Sequence, residues 1–272
     1  MLKIARSTYY SKETGIDLSN QKNEADLIDQ IGEIVCEFPG YGTRRVMKHL
    51  RREGFIINRK RIQRIMRENL LLCKRKRKFI NTTDSNHNFK RYPNLIKNII
   101  ITRPNQVWVS DITYIRILTG FIFLAVVIDA FSRKVIGYAL SKQIKQDITI
   151  TALNMALFNR SHIVDCNHHS DQGVQYACNN YINLLKQNNI QISMSRRGNP
   201  YDNAIAESFM KTIKYEEVYL WNYETYADVK ERIPFFIQEV YNNKRLHSSL
   251  DYLPPAEFEE NYFEQNSVLI AA

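Results

Sequence analysis

Residues 106–141 read QVWVSDITYIRILTGFIFLAVVIDAFSRKVIGYALS, and this stretch decides the fold. Three segments rich in β-branched and aromatic residues, QVWVSDITYIRI, GFIFLAVVIDAF and RKVIGYALS, follow one another through tight connections. That pattern predicts a three-stranded antiparallel meander. The most apolar run, FIFLAVVIDAF, is too short for a membrane span and contains an aspartate, so it reads as a buried strand. Downstream, DITITALNMALFNR predicts a helix capped by Asp147, and HIVDCNHHSDQG a short strand ending in a polar loop. NNYINLLKQNN predicts a helix, IQISMS a strand, and the segment around AESFMKTIKYE another helix. A meander followed by alternating helix and strand describes a mixed α/β sheet rather than a doubly wound parallel one. A helix from about Tyr226 to Tyr241 and the turn-rich NNKRLHSSLDYLPPAEF complete the region.

Upstream the pattern is helical. NEADLIDQIGEIVCEF sets Leu27, Ile28, Ile31, Ile34 and Val35 at helical spacing before PGYG breaks the run. TRRVMKHLRREG follows with Thr43 as the expected cap and Gly54 as the stop. NRKRIQRIMRENLL is a third helix capped by Asn58, with Ile62, Ile65 and Met66 facing inward. Two short helices separated by GFIIN, the second strongly basic, suit a helix-turn-helix-like DNA-binding module; the plainer alternative is a helical bundle with a solvated basic face. CKRKRKFINTTDSNHNFKRYPN, polar and basic without apolar periodicity, reads as a linker able to lie along phosphates. The expected domains are a helical region at 1–73, the linker at 74–103, an α/β core at 104–260 and a tail at 261–272.

Charge supports a polyanionic partner. The formal net charge is +10, and between Arg44 and Arg91 seventeen Lys or Arg face three acids. Surplus charge in one segment is the footprint of nucleic acid, with an anionic membrane surface as the rival; no exposed apolar helix face accompanies these charges, which favours nucleic acid. Candidate phosphate contacts are Arg44, Arg45, Arg59, Lys60, Arg61, Arg64, Lys74, Arg75, Lys76, Arg77 and Lys78. With 44% hydrophobic residues the chain can bury a core. The N-terminus lacks the apolar centre of a secretion signal, and Cys36, Cys73, Cys166 and Cys178 form no CxxC pair. A cytoplasmic protein with free thiols is expected. Cys166 beside His168 and His169 allows a zinc site, though the spacing is not a standard one.

Asp111 falls inside the first strand, Asp171 directly after a strand end, and Glu207 on a helix. Strand interiors disfavour aspartate, and an acid there usually has a partner or a metal. If the two strands are neighbours, Asp111 and Asp171 converge at one sheet edge, and a crossing helix adds Glu207. Three carboxylates without Cys or His suit a hard cation such as magnesium, or manganese in its place. Asp129 and Asp202 are competing acids that rank second, because a bend-side carboxylate can simply bind local backbone amides. On a helical projection Asn203, Glu207, Lys211 and Lys214 share about 80° of arc, opposite Ile205, Phe209 and Ile213. By itself this also describes an ordinary amphipathic surface helix.

WVSDITYI, HHSDQGVQY and RRGNPYDNAIAESFMKTIKYE resemble the three catalytic blocks of the retroviral-integrase-like transposases. The resemblance extends to OrfB, the second-frame product of bacterial insertion sequences that use ribosomal frameshifting. Thirty-five residues separate Asp171 from Glu207, and Lys214 stands seven after the glutamate, as in that family. YGTRRVMKHL and NRKRIQRIMRE resemble its N-terminal DNA-binding segment, and YNNKRLHSSLDYLPPAEF its C-terminal block. The resemblance implies an RNase H-like core and a DDE-type transposase in which Asp111, Asp171 and Glu207 ligand two magnesium ions. Lys214 and Lys211 would hold DNA phosphate, and Asn203 would orient Glu207 or touch DNA. It further implies element-end and target DNA as substrates, several copies of the chain on DNA, and a first-frame partner or fusion supplying the end-recognition helix-turn-helix and leucine zipper. The rival function is a non-catalytic DNA-binding regulator or assembly partner derived from such an enzyme.

Overall fold

A computed structural model describes residues 18–73, 90–144, 146–160, 163–196 and 203–270 of the 272-residue chain. The chain divides into two compact units, Met1–Lys74 and Arg75–Ala272.

In the first unit α1 (Leu18–Glu37), α2 (Thr43–Arg52) and α3 (Arg59–Glu68) pack around a small core. The apolar positions recur at helical spacing, so Leu27, Ile31 and Ile34 turn inward from α1, Val46 and Leu50 from α2, and Ile62, Ile65 and Met66 from α3. Phe38 and Tyr41 stack at 4.5 Å in the connection. Asn58 caps α3, its Oδ1 accepting the Lys60 N–H at 2.9 Å. Gly54, at φ +91, supplies the left-handed residue that ends α2. Thr43 does not cap α2 but opens it; Gly42 occupies the N-cap and gives no side-chain hydrogen bond.

The second unit is a five-stranded mixed sheet in the order β3-β2-β1-β4-β5. The strands are β1 (Val107–Ile117), β2 (Gly120–Asp129), β3 (Val135–Ser141), β4 (Asn167–Ser170) and β5 (Gln191–Met194). β1, β2 and β3 form the expected antiparallel meander, while β4 and β5 add in parallel. Alternation along β1 divides the core into two layers. Val107, Val109, Ile115 and Ile117 face α7 (Ala204–Ile213) and α8 (Tyr226–Phe235). Trp108 faces the layer of α4 (Gln146–Asn159) and α6 (Asn179–Gln187). The short α5 (Val174–Ala177) and the C-terminal α9 (Pro255–Ile270) complete the set. The second unit is thus a mixed five-stranded sheet with flanking helices, and the first a separate three-helix unit earlier in the chain.

Two helices depart from the simple α-periodicity of their sequences. α7 widens into a π-helical turn at Lys214–Val218, and α8 does the same at Phe236–Asn242. In α8 the cause lies just upstream: Pro234 has no N–H to donate and crowds the preceding turn. Within the first π-turn Glu217 is turned inward, 5% exposed.

Gly137 of β3 lies under α4: a Cβ there would stand 2.7 Å from the Ala156 nitrogen and would collide with the Ala152 carbonyl oxygen. Gly32 of α1 has nothing within 4 Å of such an atom. Gly137→Ala should therefore cost about 1–3 kcal/mol by overpacking, whereas Gly32→Ala should stabilise the helical unit by up to ~1 kcal/mol through helix propensity. Thermal unfolding of the two variants checks the opposite signs.

Candidate active site

Parity places Asp111 on the face of β1 that carries Val109 and Ile115, the face covered by α7. β1 pairs in parallel with β4 through Trp108↔His168 and Val109↔His169. Continuing that register by two residues sets Asp171, just past the end of β4, beside Asp111. α7 brings Glu207 over the same edge, with Lys214 at its C-cap.

The electrostatics record this convergence. The Asp111 carboxyl is pushed up to about 7, first by burial and then by the charge of Asp171; Glu207 adds to the rise, while the Ile112 N–H and Lys214 oppose it. Burial lowers the Lys214 ammonium, and Asp111 works the other way. Asp111 Oδ1 accepts the Ile112 N–H at 2.8 Å, and Asp171 Oδ1 accepts the Gly173 N–H at 2.9 Å. A Cβ on Gly173 would stand 2.9 Å from Asp171 Oδ1, so a larger residue there would require the Asp171 carboxylate to shift. Glu207 is 3.9 Å from Lys211, one helical turn on. Lys214 Nζ lies 4.7 Å above the centre of the Tyr114 ring.

Among the described residues no three His, Cys, Asp or Glu side chains stand close enough to clasp an ion as they are. The chemistry of the donor set nevertheless fits a divalent cation. Asp111 is desolvated and repelled by two further carboxylates, and a hard cation relieves that repulsion where thiols and imidazoles are missing.

Beneath the acids a buried polar network joins the two strands. Ser110 Oγ lies 2.7 Å from His168 Nε2, and Tyr181 Oη lies 2.9 Å from the same nitrogen. Burial, aided by neighbouring His169, lowers His168 to about 3 and keeps it neutral. The zinc alternative fails here. Cys166 and His168 are buried, burial raises the Cys166 thiol far above its ordinary value, and His168 is committed to Ser110 and Tyr181. All four cysteines are free.

Two competing acids resolve differently. Asp129 is fully buried and accepts the N–H groups of Asn105 at 2.7 Å and Phe131 at 2.9 Å, with Arg160 at 3.8 Å. It staples the backbone of its own sheet end, including Asn105 at φ +61. Asp202 lies outside the described residues. Asn203, which the helical projection set on the outward face, is 7% exposed, and its Nδ2 donates to the Ser110 carbonyl oxygen at 3.1 Å. It takes the non-helical N-cap geometry of α7, so the 3.6-residue projection does not apply to it. Its amide ties α7 to β1 one residue before Asp111.

Of the basic candidates, Arg44, Arg59, Lys60, Arg61 and Arg64 are exposed on the first unit, and Arg45 lies over the Tyr41 ring. Arg64 also pairs with Glu24 at 2.8 Å and Arg61 with the same acid at 3.8 Å. Lys74, Arg75, Lys76, Arg77 and Lys78 lie outside the described residues. The sequence did not single out Glu216 and Arg245. Arg245, 3% exposed, grips both Glu216 oxygens at 2.6 and 2.7 Å, bracing the turn that follows Lys214. Only the charges in an otherwise turn-rich block hinted at this pair.

A central strand with an aspartate beside a second aspartate, and a glutamate-bearing helix across them, is the arrangement of an integrase-type catalytic core. Residues 101–200 and 188–255 match the Integrase core domain family, and residues 21–79 an HTH-like domain. The chain is 39% identical to the "Insertion element IS600 uncharacterized 31 kDa protein" of Shigella sonnei, over 82% of this chain and 83% of that protein. It is 38% identical to the "Transposase for insertion sequence element IS904" of Lactococcus lactis, over 89% and 97%. The HTLV-2 integrase catalytic core domain, solved in complex with magnesium, aligns at a TM-score of 0.43 and 14% identity, covering 58% of this chain and 97% of that one. The chain belongs to the IS3 family of insertion-sequence transposases, with a DDE-type integrase core and an N-terminal helix-turn-helix-like domain.

The raised Asp111 carboxyl has a thermodynamic consequence without metal. Between its ordinary value of 3.8 and about 7 the folded state holds a proton that the unfolded state releases, so stability falls as pH rises through that window. Asp111→Asn removes this dependence. In chelator, the variant should melt close to wild type near pH 4 and several degrees higher at pH 8, read by thermal melts across pH.

Proposed function

We propose that this chain cuts the ends of an insertion element and joins them to DNA through a site built from Asp111, Asp171 and Glu207. The observation that carries this reading is the mutual electrostatic contact of Asp111 with Asp171, Glu207 and Lys214 at one sheet edge. In the first reaction a water oxygen attacks the phosphorus at the element end; the bond to the 3′ oxygen breaks, and that oxygen leaves as a 3′-hydroxyl. In the second, this hydroxyl attacks a phosphodiester of target DNA or of the other end, and the target's 3′ oxygen leaves. Asp111, Asp171 and Glu207 would hold two magnesium ions, or manganese, whose chemistry when bound would be to activate the attacking oxygen and stabilise the leaving one.

The remaining side chains bind and position. Lys214, held between Asp111 and Tyr114, is placed to neutralise a phosphate entering the site, with the more exposed Lys211 beside it. Asn203 orients α7 and hence Glu207 through Ser110. No Ser–His or Cys–His pair is needed, because the nucleophile is a water or a DNA hydroxyl.

Residues 1–73 are the proposed DNA-binding region and 74–103 the phosphate-tracking linker; the catalytic region spans 104–260, with a tail at 261–272. Arg44, Arg45, Arg59, Lys60, Arg61 and Arg64 supply phosphate contacts from the first unit, and Lys74 to Lys78 from the linker. The family relation supports bacterial cytoplasm, nucleoid association, several copies on DNA, and a first-frame product, separate or fused. Among the described residues no helix is long and apolar enough to cross a membrane.

With element-end DNA, magnesium and the first-frame partner, Glu207→Gln should abolish both cleavage and joining, a loss of at least about 100-fold, while leaving duplex binding intact. Undiminished cleavage and joining by this variant would show the catalytic assignment to be wrong, whereas DNA binding without cleavage by the wild type would favour a DNA-binding regulator. Neutralising Lys74, Arg75, Lys76, Arg77 and Lys78 should weaken DNA binding and flatten its salt dependence, by ~0.9 in log–log slope for each phosphate no longer neutralised by the protein.

A further inference from the structure

Beyond Val109, β1 has no β-strand partner on its β4 side among the described residues, because that pairing ends at Val109↔His169. Beside this open edge lies a group of aromatic rings that the carboxylates do not use. Tyr114 of β1 meets Phe121 of β2 edge to face at 5.4 Å, and Phe121 is half exposed. Tyr215 and Tyr219 meet edge to face at 5.4 Å on the π-helical turn after α7. The two pairs belong to one patch: Tyr219, itself exposed, feels both Tyr215 and Tyr114 electrostatically. Lys214 sits within the patch, its ammonium over the Tyr114 ring.

Phe121 and Tyr219 are exposed, and Tyr114 and Tyr215 are half-buried beside them. Soluble cores bury their aromatics, and a cluster of rings reaching the surface marks a binding surface. Its position limits the occupant: the patch contains Lys214, the cation over the Tyr114 ring that also feels Asp111. A protein or lipid partner docked here would cover the carboxylates. A DNA strand leading into them would bring a phosphate to Lys214 and its bases to the rings. Base pairs within a duplex are stacked on one another and present only their edges, so flat rings fit bases that have left the stack.

We propose that Tyr114, Phe121, Tyr215 and Tyr219 form a stacking ledge for unpaired nucleobases of the DNA strand whose phosphate Lys214 holds at the active site. The proposal rests on the cleavage-and-joining reading and deepens it: the substrate enters with its terminal bases frayed, and the ledge holds them apart. Stacking makes no demand on base identity, so the ledge favours unpaired over paired ends without reading sequence. Element-end sequence is then read elsewhere.

The test uses the full chain and two DNA probes, a 20-bp duplex with blunt ends and the same duplex with a five-nucleotide dA overhang containing 2-aminopurine. Wild type should bind the overhang duplex more tightly and quench 2-aminopurine fluorescence on binding. Tyr114→Ala and Phe121→Ala should each reduce the overhang-to-blunt affinity ratio by about ten-fold, the loss of one stacked base, and restore the fluorescence. Tyr114→Trp should retain both signals, and blunt-duplex binding should change less than two-fold in Phe121→Ala and Tyr114→Trp. An affinity ratio unchanged in both alanine variants, or a parallel loss of blunt and overhang binding in Phe121→Ala, overturns the ledge. Failure of the parent reading shows separately, as strand cleavage that survives Glu207→Gln.

Discussion

The arrangement depends on β1 pairing in two ways at once. It runs antiparallel to β2 over ten register pairs and parallel to β4 over three. A strand inside a sheet cannot slip by one residue without turning its apolar side chains to the wrong face, and β1 has apolar layers on both faces. Its register is therefore held from two sides, and with it the face on which Asp111 projects. The short parallel pairing brings the end of β4, and Asp171, level with that aspartate. Because the pairing then stops, β1 has no β-strand partner on that side beyond Val109 among the described residues.

The site opposes the stability of the core that holds it. Desolvation and two neighbouring carboxylates raise the Asp111 proton affinity, an arrangement that burial alone disfavours and that active sites display. Neutral ties offset the strain around it. Ser110 joins β1 to β4 through His168 and to α7 through Asn203; Tyr181 closes the network from α6. These bonds carry no net charge, so they hold the acids in place without changing the sign of the field. Farther out, the buried Glu216–Arg245 pair ties the turn after Lys214 to the C-terminal block. Breaking one partner of such a pair leaves a buried charge, which makes a turn-rich tail part of the site's support.

Much of the core was legible because local patterns carried it. Alternation of β-branched residues marked the meander, and helical spacing marked Leu27, Ile31, Ile34, Ile62, Ile65 and Met66 as buried. Asn58 was legible as a cap since capping involves only neighbours. Thr43 was not, because whether a residue caps or opens a helix turns on one backbone angle set by Gly42 and the chain before it. Asn203 was misplaced for a related reason: a projection assumes helical geometry, and Asn203 stands just outside it. The candidate acids were marked by type and by family resemblance, and Asp129 was set behind them as a binder of local backbone amides, which its bonds from Asn105 and Phe131 show it to be.

Residue order alone therefore determined the mixed sheet, the two-part organisation, the basic first unit and the choice of the three acids proposed for the site. Each follows from periodicity, from composition, or from the motifs shared with integrase-like transposases. Tertiary structure alone decided that β4 lies parallel to β1 at this register, that the helix widens after Ile213, that Arg245 reaches Glu216, and that four aromatic rings gather beside the acids. These are contacts between residues far apart in the chain, selected by packing and by the satisfaction of buried polar groups. A local window of sequence contains neither.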